Sequence, residues 1–300
     1  MFKLSIIILS YNTKDLLEKC LASLDKLRNE LSFQVIVIDN ASYDSSAEMV
    51  AKKFPWVALI RNEKNLGFAA GNNKAENYCK SEFVLFLNSD TLVPRGTLSE
   101  SVNYISKHKE IGALTCKILL PDGRLDQDSR RAFITPWIGF THLVLKLDKI
   151  FPESKFLAPY WYGYVSHDET HEVDVLQGAF FLTRKKILDE VGWFDEDYFL
   201  DGEDVDLCWR IKEKGWKILY YPKVTITHFK GASKGKVESQ RKNEISLSNR
   251  LKFRMTGVDS MEIFYRKRLW KRYPLFLNIL VLIGIKVIKF ERFLKTIFLG

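Results

Sequence analysis

Short apolar runs alternate with segments of helical periodicity along the first part of the chain, and this alternation constrains the fold more than any other feature. Leu4–Leu9 is a continuous apolar run, typical of a parallel strand buried on both faces. Apolar positions recur at helical spacing after Thr13, which we expect to cap a helix. The order of strand and helix predicts a mostly parallel sheet with helices on both faces.

The same pattern continues to Asn88 and returns in the second half of the chain. It predicts further strands at Gln34–Asp39, Val57–Arg61, Phe83–Asn88, Val173–Thr183, Trp216–Tyr220 and Val224–Phe229, and helices at Asp44–Phe54, Phe68–Cys79 and Glu203–Lys214. Residues 121–171 mix aromatic residues, prolines and charges without a period, which indicates an irregular, partly helical insertion. The fold class is therefore α/β, and ligands are expected beyond the carboxyl ends of the strands.

The positive charge of the chain is concentrated at its C-terminal end. The formal net charge is +9, yet residues 230–300 carry 17 Lys/Arg against 5 Asp/Glu, whereas residues 1–229 carry 29 against 32. No reading motif or stacking platform for nucleic acid accompanies this charge. An anionic membrane surface is therefore the expected partner, and a nucleic acid is not.

The C-terminal region combines an apolar run with a basic stripe. The run from Leu275 to Ile285 is too short to span a bilayer, which takes about 20 helical residues. Every third residue beyond it is basic: Lys286, Lys289, Arg292 and Lys295. This pattern predicts an amphipathic helix that lies on the membrane surface, and the alternative is a helix packed on the domain or on a partner subunit. We expect a main domain over 1–235 and a basic, helical, membrane-associating region over 236–300.

The four cysteines are isolated in the sequence and show neither a C-x-x-C pair nor the spacing of a disulfide framework: Cys20, Cys79, Cys116 and Cys208. A reducing compartment fits this usage best. Together with the basic C-terminal region, this favours a cytoplasmic protein that is peripherally associated with the inner face of the cell membrane.

Polar residues follow the apolar strands at the edge where ligands are expected. Asp90 comes just after the strand that ends at Asn88, where a carboxylate is costly unless it faces solvent or an ion. Mg²⁺ and Mn²⁺ prefer oxygen ligands and often share them with substrate phosphates. Asp39 ends the second strand and could accept the imide N–H of uracil or thymine. The alternative for both carboxylates is a turn at the strand end.

Two further groups of candidates lie in the second half of the chain. Glu203, Asp204 and Asp206 fall at a predicted helix start, where the helix dipole alone would favour them. The functional alternative is that one of them removes a proton from an acceptor hydroxyl. His228 ends the last strand, and the Gly- and Lys-rich loop 230–236 that follows would suit a lid over a diphosphate, although a lone histidine is more often structural.

Nine segments form an ordered set that resembles the family 2 glycosyltransferases with the GT-A fold, and within them the rhamnosyltransferase-like branch. The resemblance covers roughly residues 4–235. Its segments are Ile7–Asn12, Val37–Ser42, Asn65–Asn72, Phe86–Asp90, Pro121–Gly123, Gln177–Ala179, Val191–Glu196, Gly202–Leu207 and His228–Ser233. Because the segments occur together and in order, the set is far more specific than any single motif.

The resemblance implies a role for each matching residue. Asp90 and His228 would lie at a divalent metal, Mg²⁺ or Mn²⁺, and Asp204 would be the general base. Glu203 would help to place the acceptor. The residues that would bind the nucleotide-sugar donor are Asp39, Asn65, Gly67, Asn88 and Gly178, with Asp39 at the pyrimidine base. Asn88 stands where many relatives carry an Asp, so a lower metal affinity is expected.

By the same resemblance the chain is an inverting, metal-dependent glycosyltransferase. The branch suggests transfer of L-rhamnose from dTDP-L-rhamnose to a lipid-linked saccharide in cell-surface polysaccharide biosynthesis, and galactofuranose, glucose and N-acetylhexosamines stay open as sugars. One alternative is a catalytically silent nucleotide-sugar binder at the membrane. The other is a nucleotidyltransferase, which would need a Gly-rich basic loop after the first strand, where Ser10–Thr13 stands instead.

Overall fold

The computed structural model describes residues 2–230 and 247–298 of the 300-residue chain. Within these residues the strands are β1 (Leu4–Ser10), β2 (Phe33–Asp39), β3 (Ala58–Arg61), β4 (Phe83–Leu87), β5 (Thr91–Leu92), β6 (Ile111–Leu119), β7 (His171–Glu172), β8 (Phe180–Arg184) and β9 (Lys217–His228). They form a single sheet in the order β3-β2-β1-β4-β8-β6-β9-β5, with β7 also paired to β9.

The helices of the described residues are α1 (Lys14–Asp25), α2 (Ser46–Lys53), α3 (Phe68–Asn73), α4 (Thr97–Lys107), α5 (Pro136–Gly139), α6 (Lys185–Val191), α7 (Glu203–Glu213), α8 (Leu247–Phe264) and α9 (Leu275–Phe298). Two π-helical turns, Phe140–Val144 and Tyr265–Leu269, follow α5 and α8. The insertion over 121–171 contains only short helical turns between bends.

The direction of the strands gathers their carboxyl ends at one edge of the sheet. Strands β1, β2, β3 and β4 pair in parallel, and β6 pairs in parallel with β9. Strand β8 runs antiparallel to both β4 and β6, so β6 and β9 point the same way as β4. The segments after Ser10, Asp39, Leu87, Leu119 and His228 therefore meet at one edge.

Side chains alternate between two apolar layers, one on each face of the sheet. In β1, Ile6 and Ile8 join a layer formed with α1, α2 and α4, whereas Ile7 joins a layer formed with α3, α6, α7 and α8. Both sets of side chains are almost completely buried. This double burial explains why the strands read as continuous apolar runs.

Two predicted elements are wrong in extent. The helix predicted over Phe68–Cys79 ends at Asn73, because the Asn73 amide binds the backbone of Phe194 on another segment. The strand predicted over Val173–Thr183 is regular only from Phe180, because Val173 and Val175 bond to Ile218 and Arg131 as isolated contacts.

The strands predicted over Trp216–Tyr220 and Val224–Phe229 are one strand, β9, whose register against β6 shifts between Cys116 and Lys117. This irregularity accommodates Pro222, which lacks a backbone N–H. Thr13 lies at the start of α1 as predicted, but its side chain makes no cap. Its hydroxyl instead bonds to Ser10 at 3.0 Å and to Ser89 at 2.9 Å.

A buried ion-pair network links the C-terminal helices to the domain. The carboxylate of Asp206 on α7 is completely buried and accepts bonds from Arg210 on the same helix and from Arg268 beyond α8, each at 2.7 Å. Around it, Val258 and Phe264 of α8 are buried in the same apolar layer as α7. Asp206 therefore has a structural role in these ion pairs, and Glu203 and Asp204 are the remaining carboxylates of the cluster.

Helix α9 packs on α8 along one face and leaves the other face exposed. Ile285 is buried, whereas Leu280, Ile283, Val287 and Phe290 are each about half exposed or more. In the part of the chain that the structure describes, no helix combines the length and the apolar character needed to cross a membrane.

All four cysteines are buried and free. Burial raises the pKa of both the Cys20 and the Cys79 thiol to about 12, because the charged thiolate would lose its hydration. None of them approaches a partner in the geometry of a disulfide, which is consistent with the isolated positions seen in the sequence.

We expect Asp206→Asn to lower the free energy of unfolding by about 3–5 kcal/mol, because the change leaves the partly buried Arg210 and Arg268 without their counter-charge. Urea denaturation of the whole chain measures this. The control is Asp25→Asn, which removes an exposed pair with Arg28 and should cost less than about 1 kcal/mol. A loss for Asp206→Asn as small as that of the control would show that the network does not hold the C-terminal helices.

Candidate active site

The ends of β4 and β9 bring Asp90 and His228 together. Residue 91 pairs with His228 across β5 and β9, and Phe229 donates its backbone N–H to the carbonyl of Asp90 at 2.8 Å. These pairings fix the imidazole so that Nε2 lies 3.2 Å from Oδ1 of Asp90. Asn88 approaches the same nitrogen with its amide, at 3.4 Å. The predicted metal residues and Asn88 therefore form one cluster.

The other side of the imidazole is held by Asp126, a residue that the sequence did not single out. Oδ2 of Asp126 lies 3.1 Å from Nδ1 of His228, and Lys230 donates to Oδ1 at 2.6 Å. Asp126 follows β6, so it is one more carboxylate placed beyond a strand end. Its signal in the sequence was an apolar run, Ile111–Leu119, followed by the turn at 121–123.

The pKa values of this pair reflect mutual stabilisation. Burial by itself would raise the pKa of Asp126, but hydrogen bonds from His228 and Lys230 outweigh it and lower the pKa to about 2. Burial would lower the pKa of His228, but its hydrogen bond to Asp126 and the nearby negative charge of Asp90 raise it to about 9. The two flanking carboxylates favour the protonated ring, whereas a metal bound at Nε2 would take the neutral ring with its remaining proton on Nδ1, donated to Asp126.

The residues present fit a divalent metal. Both carboxylate oxygens of Asp90 are buried, and among the described residues none donates a well-formed hydrogen bond to them. Neighbouring ligands of an octahedral ion at about 2.1 Å lie about 3.0 Å apart, close to the observed Nε2 to Oδ1 separation. The contact of Nδ1 with Asp126 is the usual outer support of a metal-binding histidine.

Residues 2–230 and 247–298 contain no group of three His, Cys, Asp or Glu side chains that could hold a metal unaided. A metal at Asp90 and His228 would therefore need oxygen ligands from a substrate, as Mg²⁺ sites in phosphate-binding proteins commonly do.

Asp39 lies at the end of β2 with one oxygen engaged and one unpaired. Oδ2 accepts the backbone N–H of Ser42 at 3.2 Å, whereas Oδ1 is buried and lacks a hydrogen-bond partner among the described residues. Burial raises the pKa of Asp39, and the bonds to Ser42 oppose this rise. An unpaired acceptor in a crevice suits a donor such as the imide of a pyrimidine.

Asn65 and Gly67 shape the neighbouring loop around the side chain of Asn40, which follows β2. The amide of Asn40 donates to Oδ1 of Asn65 at 2.8 Å and to the carbonyl of Gly67, and its oxygen accepts the backbone N–H of Leu66. Gly67 has φ +81°, and a Cβ there would lie 2.3 Å from the carbonyl oxygen of Phe199. Only glycine fits this close approach.

Gly178 lies between the two halves of the crevice. A Cβ at this position would meet the ring of Phe68 at 3.0 Å, so the turn before β8 and the start of α3 are in close contact here. The adjacent Ala179 carbonyl accepts the backbone N–H of Asn88. Gly178 thus connects the Gly67 loop to the Asn88 and Asp90 strand end.

Asp204 opens helix α7 in contact with an arginine from the insertion. Its Oδ2 accepts from Nη2 of Arg131 at 2.6 Å, and both side chains are nearly buried. Burial raises the pKa of Asp204, and the guanidinium of Arg131 opposes that rise. Glu203 is buried beside it. A carboxylate with a raised pKa at the edge of a crevice is suited to accept a proton.

One short segment, 126–131, connects the cluster around His228 to the Asp204 carboxylate. Its first residue holds His228 and its last residue holds Asp204, and between them lies a 3₁₀ turn at Gln127–Ser129. The backbone of Arg131 pairs in both directions with Val175. The loop 231–236, predicted to be a lid, lies outside the described residues.

The chain is similar in sequence to known glycosyltransferases. The profile described as "Glycosyl transferase family 2" matches residues 5–192. An N-acetylglucosaminyl-diphospho-decaprenol L-rhamnosyltransferase of Mycobacterium tuberculosis is 29% identical over 244 residues, 78% of this chain and 78% of that protein. Rhamnosyltransferase WbbL of Escherichia coli is 25% identical over 75% of this chain and 82% of its own length.

The fold is also shared with solved structures. GalNAc-T7 with UDP, GalNAc and Mn²⁺ superposes with a TM-score of 0.56 at 18% identity, over 76% of this chain and 44% of that one. The GT-A fold that the sequence indicated is thereby confirmed, as is the resemblance to the rhamnosyltransferase-like branch.

Asp126→Asn should weaken the binding of Mn²⁺, measured by titration calorimetry in the presence of UDP, by about 10–100-fold, because the outer support of His228 loses its charge. The matched control is Asp128→Asn. Asp128 also pairs with Lys230 but has no hydrogen bond to the imidazole, so its loss should change the affinity by less than about threefold. Equal weakening in both variants would mean that general charge, and not orientation of His228, sets the affinity.

Proposed function

Because the chain belongs to glycosyl transferase family 2 and is rhamnosyltransferase-like within it, we propose that it transfers a sugar from a nucleotide diphosphate donor to a hydroxyl with inversion. The single observation that carries the proposal is the Asp90 carboxylate, buried without a hydrogen bond beside His228 at the strand ends. A desolvated carboxylate of this kind is costly unless a cation joins it.

The donor is proposed to bind along the crevice from Asp39 to Asp90. The unpaired Oδ1 of Asp39 would accept the imide N–H of the pyrimidine, and the loop of Asn65 and Gly67 would shape the pocket beside it. Asn88 and Gly178 would border the ribose, diphosphate and sugar. Asp90 and His228 would hold Mg²⁺ or Mn²⁺, whose chemistry when bound is to neutralise the charge of the leaving diphosphate.

Asp204 is proposed to be the general base. Its Oδ2 would take the proton of the acceptor hydroxyl while that oxygen attacks the sugar carbon and the diphosphate leaves from the opposite side. Arg131 keeps the carboxylate oriented, and Glu203 would help to place the acceptor. A single displacement with one base inverts the anomeric configuration.

The proposed sugar is L-rhamnose from dTDP-L-rhamnose, and the proposed acceptor is a lipid-linked saccharide of cell-surface polysaccharide synthesis. The names of the Mycobacterium tuberculosis and Escherichia coli relatives support the choice of rhamnose, and the diphospho-decaprenol in the first name supports the choice of acceptor. A pyrimidine nucleotide also suits the unpaired acceptor on Asp39.

A transfer screen over dTDP- and UDP-sugars with Mg²⁺ or Mn²⁺ tests the proposal. We expect one donor to release its nucleotide diphosphate in a metal-dependent reaction. Asp90→Ala should abolish this release, and Asp204→Asn should lower kcat by about 100-fold or more with little change in donor binding.

The control for the screen is Asp25→Asn, an exposed change that should leave turnover intact. If the wild-type chain binds a donor but turns over none, and Asp90→Ala binds it equally well, the chain is a silent nucleotide-sugar binder and the metal assignment is wrong.

The pH dependence of kcat tests the assignment of Asp204. Activity requires the ionised carboxylate, so it should fall as the pH drops through the pKa of Asp204. Arg131→Met removes the charge that opposes the rise of this pKa, so the acidic limb should move to higher pH. Arg131→Lys keeps the charge and should move the limb less. An identical limb in the wild type and Arg131→Met would show that Asp204 does not control it.

We also propose that residues 1–235, with the insertion over 121–171, form the catalytic part and that residues 236–300 attach it to the inner face of the cell membrane. The boundary between the two lies outside the described residues. The exposed apolar face of α9 and its basic residues support this role.

Sedimentation with anionic vesicles measures this attachment. Lys286→Gln on α9 should lower the partition several-fold, because a basic residue near an anionic surface contributes about 1 kcal/mol. Lys52→Gln on α2, equally exposed, should leave it unchanged. Equal partition of both variants and the wild type would remove α9 from the membrane contact.

A further inference from the structure

An apolar cavity of about 640 Å³ lies between the insertion and the C-terminal helices. Its apolar lining includes Ile134, Phe140, Leu143, Phe264, Val281 and Ile285. This volume falls within the range of pockets that bind small molecules, about 300–1,000 Å³. The cavity is separate from the donor crevice, since Asp39, Asp90 and His228 are not among the residues that line it.

The cavity reaches the surroundings of the proposed base. Arg131, Gly202 and Val205 all line it, and Arg131 is the residue that binds the carboxylate of Asp204. A molecule in the cavity would therefore lie next to the carboxylate that accepts the proton. This is the side from which an acceptor would approach.

The cavity also reaches the exposed apolar surface of the protein. Phe140, Val144 and Leu280 line it, and their side chains are 47%, 60% and 59% exposed. The exposed apolar face of α9 continues from Leu280. Arg292, which is exposed, adds a positive charge to the same lining, to which Asp201 contributes a carboxylate.

We propose that this cavity binds the hydrocarbon chain of a lipid-linked acceptor, next to the base, with Arg292 near its phosphate groups. The proposal rests on the proposed function in taking Asp204 as the base. A hydrocarbon chain has no polar groups to satisfy, whereas a peptide would bring backbone N–H and C=O groups along its whole length into a lining that is mostly apolar. One occupant thus explains the apolar lining, the nearby base and the opening among exposed apolar side chains.

Gly284 on α9 offers a direct test. It lines the cavity, and a Cβ built on it meets no atom within 4 Å, so Gly284→Phe can fill the space without displacing the helix. The matched control is Val287→Phe, which adds a similar ring to the same helix at a side chain that is 61% exposed and does not line the cavity.

Binding of farnesyl diphosphate to the whole chain, without any donor, is measured by titration calorimetry. We expect Gly284→Phe to weaken it by about tenfold or more, since the added ring occupies the space of the chain, and Val287→Phe to change it by less than about twofold. Farnesol should compete with the probe, and inorganic diphosphate should compete poorly. Unchanged binding by Gly284→Phe, or equal competition by inorganic diphosphate, overturns the proposal.

Turnover separates this inference from the proposed function. With the donor found in the screen, Gly284→Phe should raise KM for a farnesyl-linked saccharide and leave transfer to the same saccharide without the chain unchanged. If the wild-type KM is the same for the saccharide with and without the hydrocarbon chain, the cavity assignment is overturned and the proposed enzymatic function is unaffected. If Gly284→Phe loses binding of the hydrocarbon chain but no donor is turned over, the cavity assignment is supported and the proposed enzymatic function is rejected.

Discussion

The site depends on the segment 126–131, because it supplies the partners that two buried functional side chains require. His228 and Asp204 are both nearly excluded from water, and a buried charge without a partner would be strongly unfavourable. Asp126 stabilises the imidazole at one end of the segment, and Arg131 stabilises the carboxylate at the other. The distance between His228 and Asp204, the proposed donor-side and acceptor-side residues, is thus set by one 3₁₀ turn.

The sequence predicted the parts of the fold that follow from local pattern. Continuous apolar strands and polar residues at their ends located Asp39, Asn88, Asp90 and His228 at one edge, because parallel strands must end together. The side chains that pair with His228 and Asp204 could not be predicted in this way. Asp126 and Arg131 belong to an insertion without periodicity, and only the folded chain shows that they meet residues 73 or more positions away.

The same limit applies to the cluster at the start of α7. In the sequence Glu203, Asp204 and Asp206 are three equivalent carboxylates, and a helix dipole explains each of them equally well. The fold distinguishes them by their partners, since Asp206 is enclosed by two arginines and Asp204 receives one. One of those arginines, Arg268, comes from the C-terminal region, a contact that no local pattern could reveal.

The burial of all four cysteines has a practical consequence for spectroscopy. With raised pKa values and no exposed sulfur, the native thiols should react slowly with maleimides, so a cysteine introduced on the surface can be labelled without first replacing them. One label on α9 and one on α2 would report distances within the unmodified core. Fluorescence and spin-label measurements can therefore test whether α9 contacts a lipid surface without replacing the native cysteines.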